Sequence, residues 1–248
     1  MILVTGATGT IGSALVEVLT AAGEPFRTMS RRPSAGVRGD YADADSLRAA
    51  VKDVDAVFLL TPPGPSAPAQ DLALLEAAAG VRRIVKLSAF GVDEGLAPWH
   101  EPGEEAVRSG DREWTILRPS MFASNVRWWQ PSIRAGEPIR NFTGEGKLGV
   151  VDPRDVAAVA AVALTGGTSG VHTLTGPELL STPEQVAILA SVLGRPLSTV
   201  EAAGSEPGYA YVRSGRGAVV TDDVPRLLGR PARTFREWVV DHADTLGA

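Results

Sequence analysis

Gly6, Gly9 and Gly12 stand three residues apart, directly after the apolar run Ile2–Val4 and before a stretch, residues 13–22, whose Ala14, Leu15, Val18 and Leu19 recur at helical intervals. A strand that stops at a glycine turn and passes into a helix suits one chemistry, the cradling of a pyrophosphate. Gly6 would permit the tight turn, Gly9 would let the backbone approach the anion, and Gly12 would let the helix pack closely on the strand. The unpaired N–H groups at the helix start would then face the phosphates. Thr8, Thr10 and Ile11 share this loop and are candidate contacts. An ordinary glycine-rich turn could carry the same spacing; the flanking strand and helix favour the cradle.

A dinucleotide fold usually places Asp or Glu about 20 residues past the glycines, where it holds the ribose 2′-hydroxyl. Here that stretch reads Thr28-Met29-Ser30-Arg31-Arg32 and has no carboxylate. Ser30, Arg31 and Arg32 suit a 2′-phosphate, which asks for charge and forked donors; a solvated basic turn is the alternative. NADP(H) is therefore the preferred cofactor and NAD(H) the second choice. Asp40 is a candidate acceptor for the adenine amino group or a plain surface carboxylate. Thr61, Pro62 and Pro63 leave a strand where the cofactor would cross, the prolines shaping that crossing. Ser88, at the end of a further strand, is a candidate catalytic and cofactor-contacting residue that either binds a substrate oxygen or merely caps its turn.

The elements that must hold these residues alternate. Strands are expected at Ile2–Val4, Phe26–Ser30, 55–60, 82–88 and 114–117, with helices near 46–51, 69–79 and 101–109. This rhythm gives a parallel sheet covered on both faces, and right-handed crossovers favour a doubly wound order 3-2-1-4-5 in these strands. Beyond Arg118-Pro119 the pattern changes. Asp152-Pro153 reads as the cap and first turn of a helix over 154–164, and Thr182-Pro183-Glu184-Gln185 as a capping box. Gly194 and Gly229 each end a helix within a repeated Leu-Gly-Arg-Pro, and residues 235–246 form a last amphipathic helix. The expectation is a single domain over 1–248: a cofactor core over about 1–122, and a mostly substrate-binding part over 123–248 with some elements returning to the core. The C-terminal third is expected to lie as a lid over the carboxyl edge of the sheet.

Composition excludes several classes. A formal net charge of −5 gives no nucleic-acid footprint. The absence of cysteine removes disulfides and thiolate chemistry, and His100, His172 and His242 have no metal-ligand spacing, so no metal is expected. No apolar run reaches the length of a membrane span. With the glycine motif starting at the first residue, no leader is expected and a cytoplasmic location is.

Several segments together resemble the NmrA-like group of atypical short-chain dehydrogenases: Val4-Thr5-Gly6-Ala7-Thr8-Gly9, Lys86-Leu87-Ser88-Ala89, Trp99-His100, Trp114-Thr115-Ile116-Leu117-Arg118-Pro119, Asp152 with Asp155-Val156-Ala157, and Leu174-Thr175-Gly176-Pro177-Glu178. Val219-Val220-Thr221-Asp222-Asp223-Val224 and Thr234-Phe235 extend the match over nearly the whole chain. The resemblance implies an α/β extended Rossmann fold, a doubly wound parallel sheet with a small C-terminal α+β substrate subdomain, binding NAD(P)(H). It also implies that Pro119, Ser120, Met121 and Phe122 lie beside the nicotinamide. The group includes quinone reductases, reductases of secondary metabolism and non-catalytic cofactor sensors.

Ordinary short-chain dehydrogenases use a Tyr-x-x-x-Lys pair, whereas none of Tyr41, Tyr209 and Tyr211 has Lys four residues on. By the resemblance Leu96 and His100 occupy those two places. An alkoxide left without an acid is costly, so a quinone, a polycyclic aromatic or a conjugated enone is a better acceptor than a simple ketone. His100, titrating near neutrality, is the candidate donor or orienter, or else packs against Trp99. Phe90, Phe122, Trp128, Trp129, Tyr209 and Tyr211 are candidates for an apolar wall around the acceptor; core or dimer packing would use the same aromatics. Relatives carry a longer helical insertion before the segment resembling Tyr209-Ala210-Tyr211-Val212-Arg213. Its loss predicts a missing covering helix and a cleft open near residues 200–211, favouring fused-ring acceptors. Three readings result: a reductase of a small aromatic or quinone-like molecule, a cofactor-sensing regulator, and an enzyme of net non-redox chemistry. The expected assembly is a monomer or homodimer.

Overall fold

The computed structural model describes residues 1–247. The chain runs β1 (Ile2–Val4), α1 (Thr10–Ala21), β2 (Phe26–Ser30), β3 (Val37–Arg38), α2 (Ala44–Ala50), β4 (Ala56–Leu59), α3 (Ala67–Ala77), β5 (Arg83–Leu87), α4 (Glu101–Arg108) and β6 (Glu113–Pro119). It continues through α5 (Gln130–Ala135), β7 (Ile139–Asn141), β8 (Lys147–Gly149), α6 (Pro153–Leu164), β9 (Gly170–Leu174), β10 (Leu179–Ser181) and α7 (Thr182–Leu193). It closes with β11 (Thr199–Glu201), α8 (Pro207–Arg213), α9 (Asp223–Leu228), α10 (Phe235–Asp241) and α11 (Ala243–Gly247). Two compact units result, Met1–Pro119 with Val156–Thr173, and Ser120–Asp155 with Leu174–Ala248.

The first unit is built on a sheet of order β3-β2-β1-β4-β5-β6-β9. β1, β4 and β5 are buried along their whole length and rich in Ile, Val and Leu, as strands covered on both faces must be. β1 pairs in parallel with β2 on one side and β4 on the other, Leu3 standing opposite Arg27 and Val57. β4, β5 and β6 follow in parallel register. Leu3, Leu47, Val57, Leu74, Ile84 and Ile116 close the core between sheet and helices.

The doubly wound parallel sheet is as expected, but the strand order needs correction. The run at 55–60 is not the third strand lying beyond β2; as β4 it pairs with β1 on the opposite side. The outer place belongs to β3, whose two residues pair with Met29 and Ser30 and are too few to show a strand periodicity. The sheet also takes up β9 as its last strand.

The second unit holds two short ladders, β8 with β10 antiparallel and β7 with β11 parallel. Val126, Leu180, Leu189, Phe235 and Trp238 form its main core. The capping box of α7 sits one residue earlier than the sequence spacing suggested. Ser181 is the cap, its hydroxyl accepting from Glu184 N–H while the Glu184 carboxylate accepts from Ser181 N–H. The last helix is not continuous either. His242 Nδ1 lies 2.8 Å from the Trp238 carbonyl, occupying the acceptor that an unbroken helix would offer to the His242 N–H. α10 therefore ends at Asp241 and α11 begins afresh.

Among the described residues, no helix is long and apolar enough to cross a membrane.

Candidate functional site

The glycine turn sits where β1 runs into α1. Gly6 adopts φ +64°, a left-handed conformation that side chains disfavour, and a Cβ there would fall 2.6 Å from Leu60 Cδ2. At Gly12 a Cβ would fall 2.1 Å from the Gly6 carbonyl oxygen, so the first turn of α1 can rest on the loop only through bare backbone. Thr5 ties the turn to the neighbouring strand. Its hydroxyl lies 2.9 Å from the carbonyls of Phe58 and Leu60 and accepts from Leu60 N–H at 2.8 Å. Gly9 is the N-cap of α1 and supplies no side-chain acceptor, while Thr8, Gly9 and Thr10 are exposed and Ile11 is buried. An uncapped helix start, beside a loop that a methyl group would fill, fits the pyrophosphate of a dinucleotide.

Ser30 closes β2, and Arg31 and Arg32 follow it into solvent with no ion pair among the described residues. Arg38, on β3, is instead bound to Asp43 at 2.8 Å. Asp40 accepts from Ala42 N–H at 3.1 Å and so helps to shape the turn into α2. Pro62 and Pro63 are exposed beyond β4, while Thr61 is buried.

Under the carboxyl edge of this sheet lie two buried charge clusters that the sequence reading missed. Lys86 on β5 and Asp71 on α3 form an ion pair at 2.5 Å with both side chains fully buried, and the Thr61 hydroxyl donates to Asp71 at 2.9 Å. α4 passes this pair at Gly103, where a Cβ would overlap Asp71 Oδ2 at 2.2 Å. The second cluster centres on Glu104, 1% exposed. Its carboxylate accepts from the Ser88 hydroxyl at 2.5 Å, from Arg118 at 2.9 and 2.6 Å, and from Arg108 at 2.6 Å. Burial pushes the Glu104 carboxyl up, but the hydrogen bonds from Arg118 and Ser88 and the charges of Arg118 and Arg108 hold it below its ordinary value. Asp93 completes the fork on Arg118. The Ser88 hydroxyl thus donates its hydrogen bond to Glu104.

His100 ends the 3-10 turn Pro98–His100 and is 7% exposed, its Nδ1 buried without a hydrogen-bond partner among the described residues. Burial, and then the charge of Lys86, push its pKa down to about 4 against the opposing pull of Glu104. The expectation of an imidazole titrating near neutrality is corrected: burial beside an ammonium group keeps it neutral. Trp99 stands 6.0 Å away, ring centre to ring centre, tilted by 51°. Tyr41 offers no neutral-range acid either, since burial raises its phenol to about 12.

The second unit contains a pocket of about 370 Å³ lined by Met121, Asn125, Trp128, Trp129, Ser132, Ile139, Arg140, Phe142, Thr143, Thr182 and Tyr209. It gathers four of the sequence candidates: Met121, Trp128, Trp129 and Tyr209. The wall missed by the sequence reading is Phe142, stacked on Tyr209 with centroids 4.8 Å apart and planes 11° apart. Phe122 is half-buried and bridges to Val151, and Ser120 is buried with its N–H donated to the Leu174 carbonyl. Neither lines this pocket. In the first unit Pro119 is buried at the end of β6, and its carbonyl accepts from Phe90 N–H at 2.9 Å. Tyr211 lies under the Arg216 guanidinium, 4.8 Å from ring centre, and is not among the residues lining the pocket. The connection from Val200 to α8 is short and holds no helix; Pro207 starts α8, which carries Tyr209 onto Phe142.

Among the described residues no group of three or more His, Asp or Glu could hold a metal ion.

A family model described as NAD(P)H-binding matches residues 6–166. The chain is 40% identical to the (4-alkanoyl-5-oxo-2,5-dihydrofuran-3-yl)methyl phosphate reductase of Streptomyces griseus, over 98% of each chain. It is 34% identical to the NAD(P)H azoreductase of Xenophilus azovorans over all of both chains. Its fold is similar to the NADPH-dependent quinone oxidoreductase of Escherichia coli solved with NADPH, with a TM-score of 0.85 at 22% identity over 98% and 99% of the two chains. The glycine turn, the sheet and these relatives together assign the chain to the NAD(P)H-binding family, in its NmrA-like group of atypical short-chain dehydrogenases, as an NAD(P)H-dependent oxidoreductase.

Proposed function

We propose that the protein is an NADPH-dependent reductase of a conjugated acceptor, a quinone, polycyclic aromatic or enone, and that it works without a protein acid of neutral pKa. One observation carries this reading: His100, at one of the two places of the missing Tyr-x-x-x-Lys pair, is buried beside Lys86 and neutral. An isolated ketone reduced at such a site would become a strongly basic alkoxide with no donor. A conjugated acceptor spreads the same negative charge over one or more carbonyls and can be protonated by water. The substrate named for the Streptomyces relative fits this demand, because its ring double bond is conjugated both with the ring carbonyl and with the alkanoyl group. The azoreductase name points to another delocalised acceptor class.

Bound NADPH supplies the hydride. The Gly6–Gly12 turn and the start of α1 hold its pyrophosphate, with Thr8, Gly9 and Thr10 at the loop surface and buried Ile11 contributing through its backbone. Ser30, Arg31 and Arg32 hold the 2′-phosphate, and Asp40, Thr61, Pro62 and Pro63 border the cofactor. Pro119, Ser120, Met121 and Phe122 bracket the nicotinamide, as the family resemblance implies. Glu104 fixes the Ser88 hydroxyl, whose oxygen keeps lone pairs to orient a donor, and neutral His100 acts as an orienting group. Trp128, Trp129, Phe142 and Tyr209 hold the acceptor body. NADPH oxidation tests the reading, comparing naphthoquinone and an alkanoyl butenolide with a saturated ketone of similar size. Turnover of the first two and none of the third is expected; a preference for the saturated ketone would refute it.

A further inference from the structure

The acceptor pocket carries one formal charge. Arg140 lies on β7 between the buried Ile139 and Asn141, and the strand alternation turns it outward. Its guanidinium carbon stands 4.9 Å from the Phe142 ring centre. No carboxylate is within ion-pair distance of it among the described residues. The neighbouring threonines are already engaged, since the Thr143 and Thr182 hydroxyls lie 3.1 Å apart. A guanidinium resting on a ring face is held in place while its N–H donors remain free at the rim, in the fork that matches an oxyanion. The result is an aromatic platform, Phe142 stacked on Tyr209, with an unneutralised forked cation at its edge.

We propose that this pocket selects acceptors bearing an anionic oxyacid group, a phosphate or a carboxylate, and that Arg140 reads that group while Trp129, Phe142 and Tyr209 hold the unsaturated body. The proposal rests on the acceptor reading above. It makes Arg140 a specificity-determining residue with no part in hydride transfer.

The test uses pairs of naphthoquinones whose charge is insulated from the ring by methylenes, so that reduction potentials match: a propionate against its methyl ester, and a phosphate monoester against its free alcohol. In the unaltered protein the anionic member of at least one pair should have a KM lower by about tenfold or more, the scale of one charge-assisted contact, with kcat little different. Arg140→Gln should bring that ratio to about one. The pair with the larger ratio identifies the anion as carboxylate or phosphate. Equal KM values within both pairs would overturn the proposal, and so would a ratio that survives in Arg140→Gln. Quenching of tryptophan fluorescence measures the same ratios without turnover. Absence of NADPH oxidation with every member would therefore defeat the reductase reading, while the binding ratios still decide the role of Arg140.

Discussion

The glycine turn and the aromatic pocket are both candidate binding surfaces, and they are made of opposite materials. The turn is backbone: residues 5–12, a positive φ at Gly6, and a Gly12 packed where no Cβ fits. The pocket is side chain, drawn from Met121 through Tyr209. A backbone surface can recognise what all dinucleotides share, and it tolerates almost no substitution. A side-chain surface can be altered one residue at a time, so acceptor choice can change while the cofactor machinery stays fixed. Under the turn's sheet lie charges that are buried and paired, Asp71 with Lys86 and Glu104 with Arg118. The pocket's cation, Arg140, has no ion-pair partner among the described residues. The first arrangement holds structure in place; the second is ready for a ligand.

The comparison breaks hardest at Lys86. Lys86→Met leaves the Asp71 carboxylate buried without its partner and should cost about 3–5 kcal/mol in urea unfolding. Adding Asp71→Leu should recover most of that loss, because the stranded charge disappears. At Gly12 the cost is steric. Gly12→Val should lose about 1–3 kcal/mol through overpacking against the Gly6 carbonyl, and NADPH affinity should fall with it in fluorescence titration.

Arg31→Ala sharpens the contrast, because it removes a side-chain feature from the backbone-built half. NADPH affinity should drop about tenfold, the scale of a charge-assisted hydrogen bond, with NADH affinity nearly unchanged. Equal losses for both cofactors would remove the 2′-phosphate assignment. The smallest effect is expected at Phe142. Phe142→Leu forfeits a ring contact worth about 0.5–1.5 kcal/mol, so KM for an aromatic acceptor should rise a few-fold while NADPH affinity stays the same.

This division also explains what could be read in the chain. The turn was legible because its determinants are adjacent: a β-branched strand, three spaced glycines and an amphipathic helix. Gly194 and Gly229 were legible as helix ends for a similar reason, both taking left-handed conformations after α7 and α9. β3 was not, since two residues carry no periodicity. The Asp71–Lys86 pair was hidden because its members are distant in sequence and sit on different elements, Asp71 on α3 and Lys86 on β5. Lys86 does interrupt the apolar run 84–87 of a strand buried along its whole length, and a lysine in such a run signals a buried partner. Phe142 and Arg140 gave no warning, for nothing in residues 139–143 announces that Tyr209 will stack there. His100 was visible as a residue but not as a titrating group, because its neutrality depends on burial and on Lys86.

The central claim is that hydride reaches the acceptor with no protein acid titrating in the neutral range. With His100 lowered to about 4, it is uncharged throughout that range and begins to gain a proton only as the pH falls toward 4. The most direct test is the pH dependence of kcat/KM for a naphthoquinone from pH 6 to pH 9, measured for the unaltered protein and for His100→Gln. The account predicts a flat profile in both, with rates differing by no more than about threefold, well under the roughly hundredfold loss on removing a general acid. A fall in rate with an apparent pKa between 6 and 9 that vanishes in His100→Gln would contradict it and restore His100 as the proton donor.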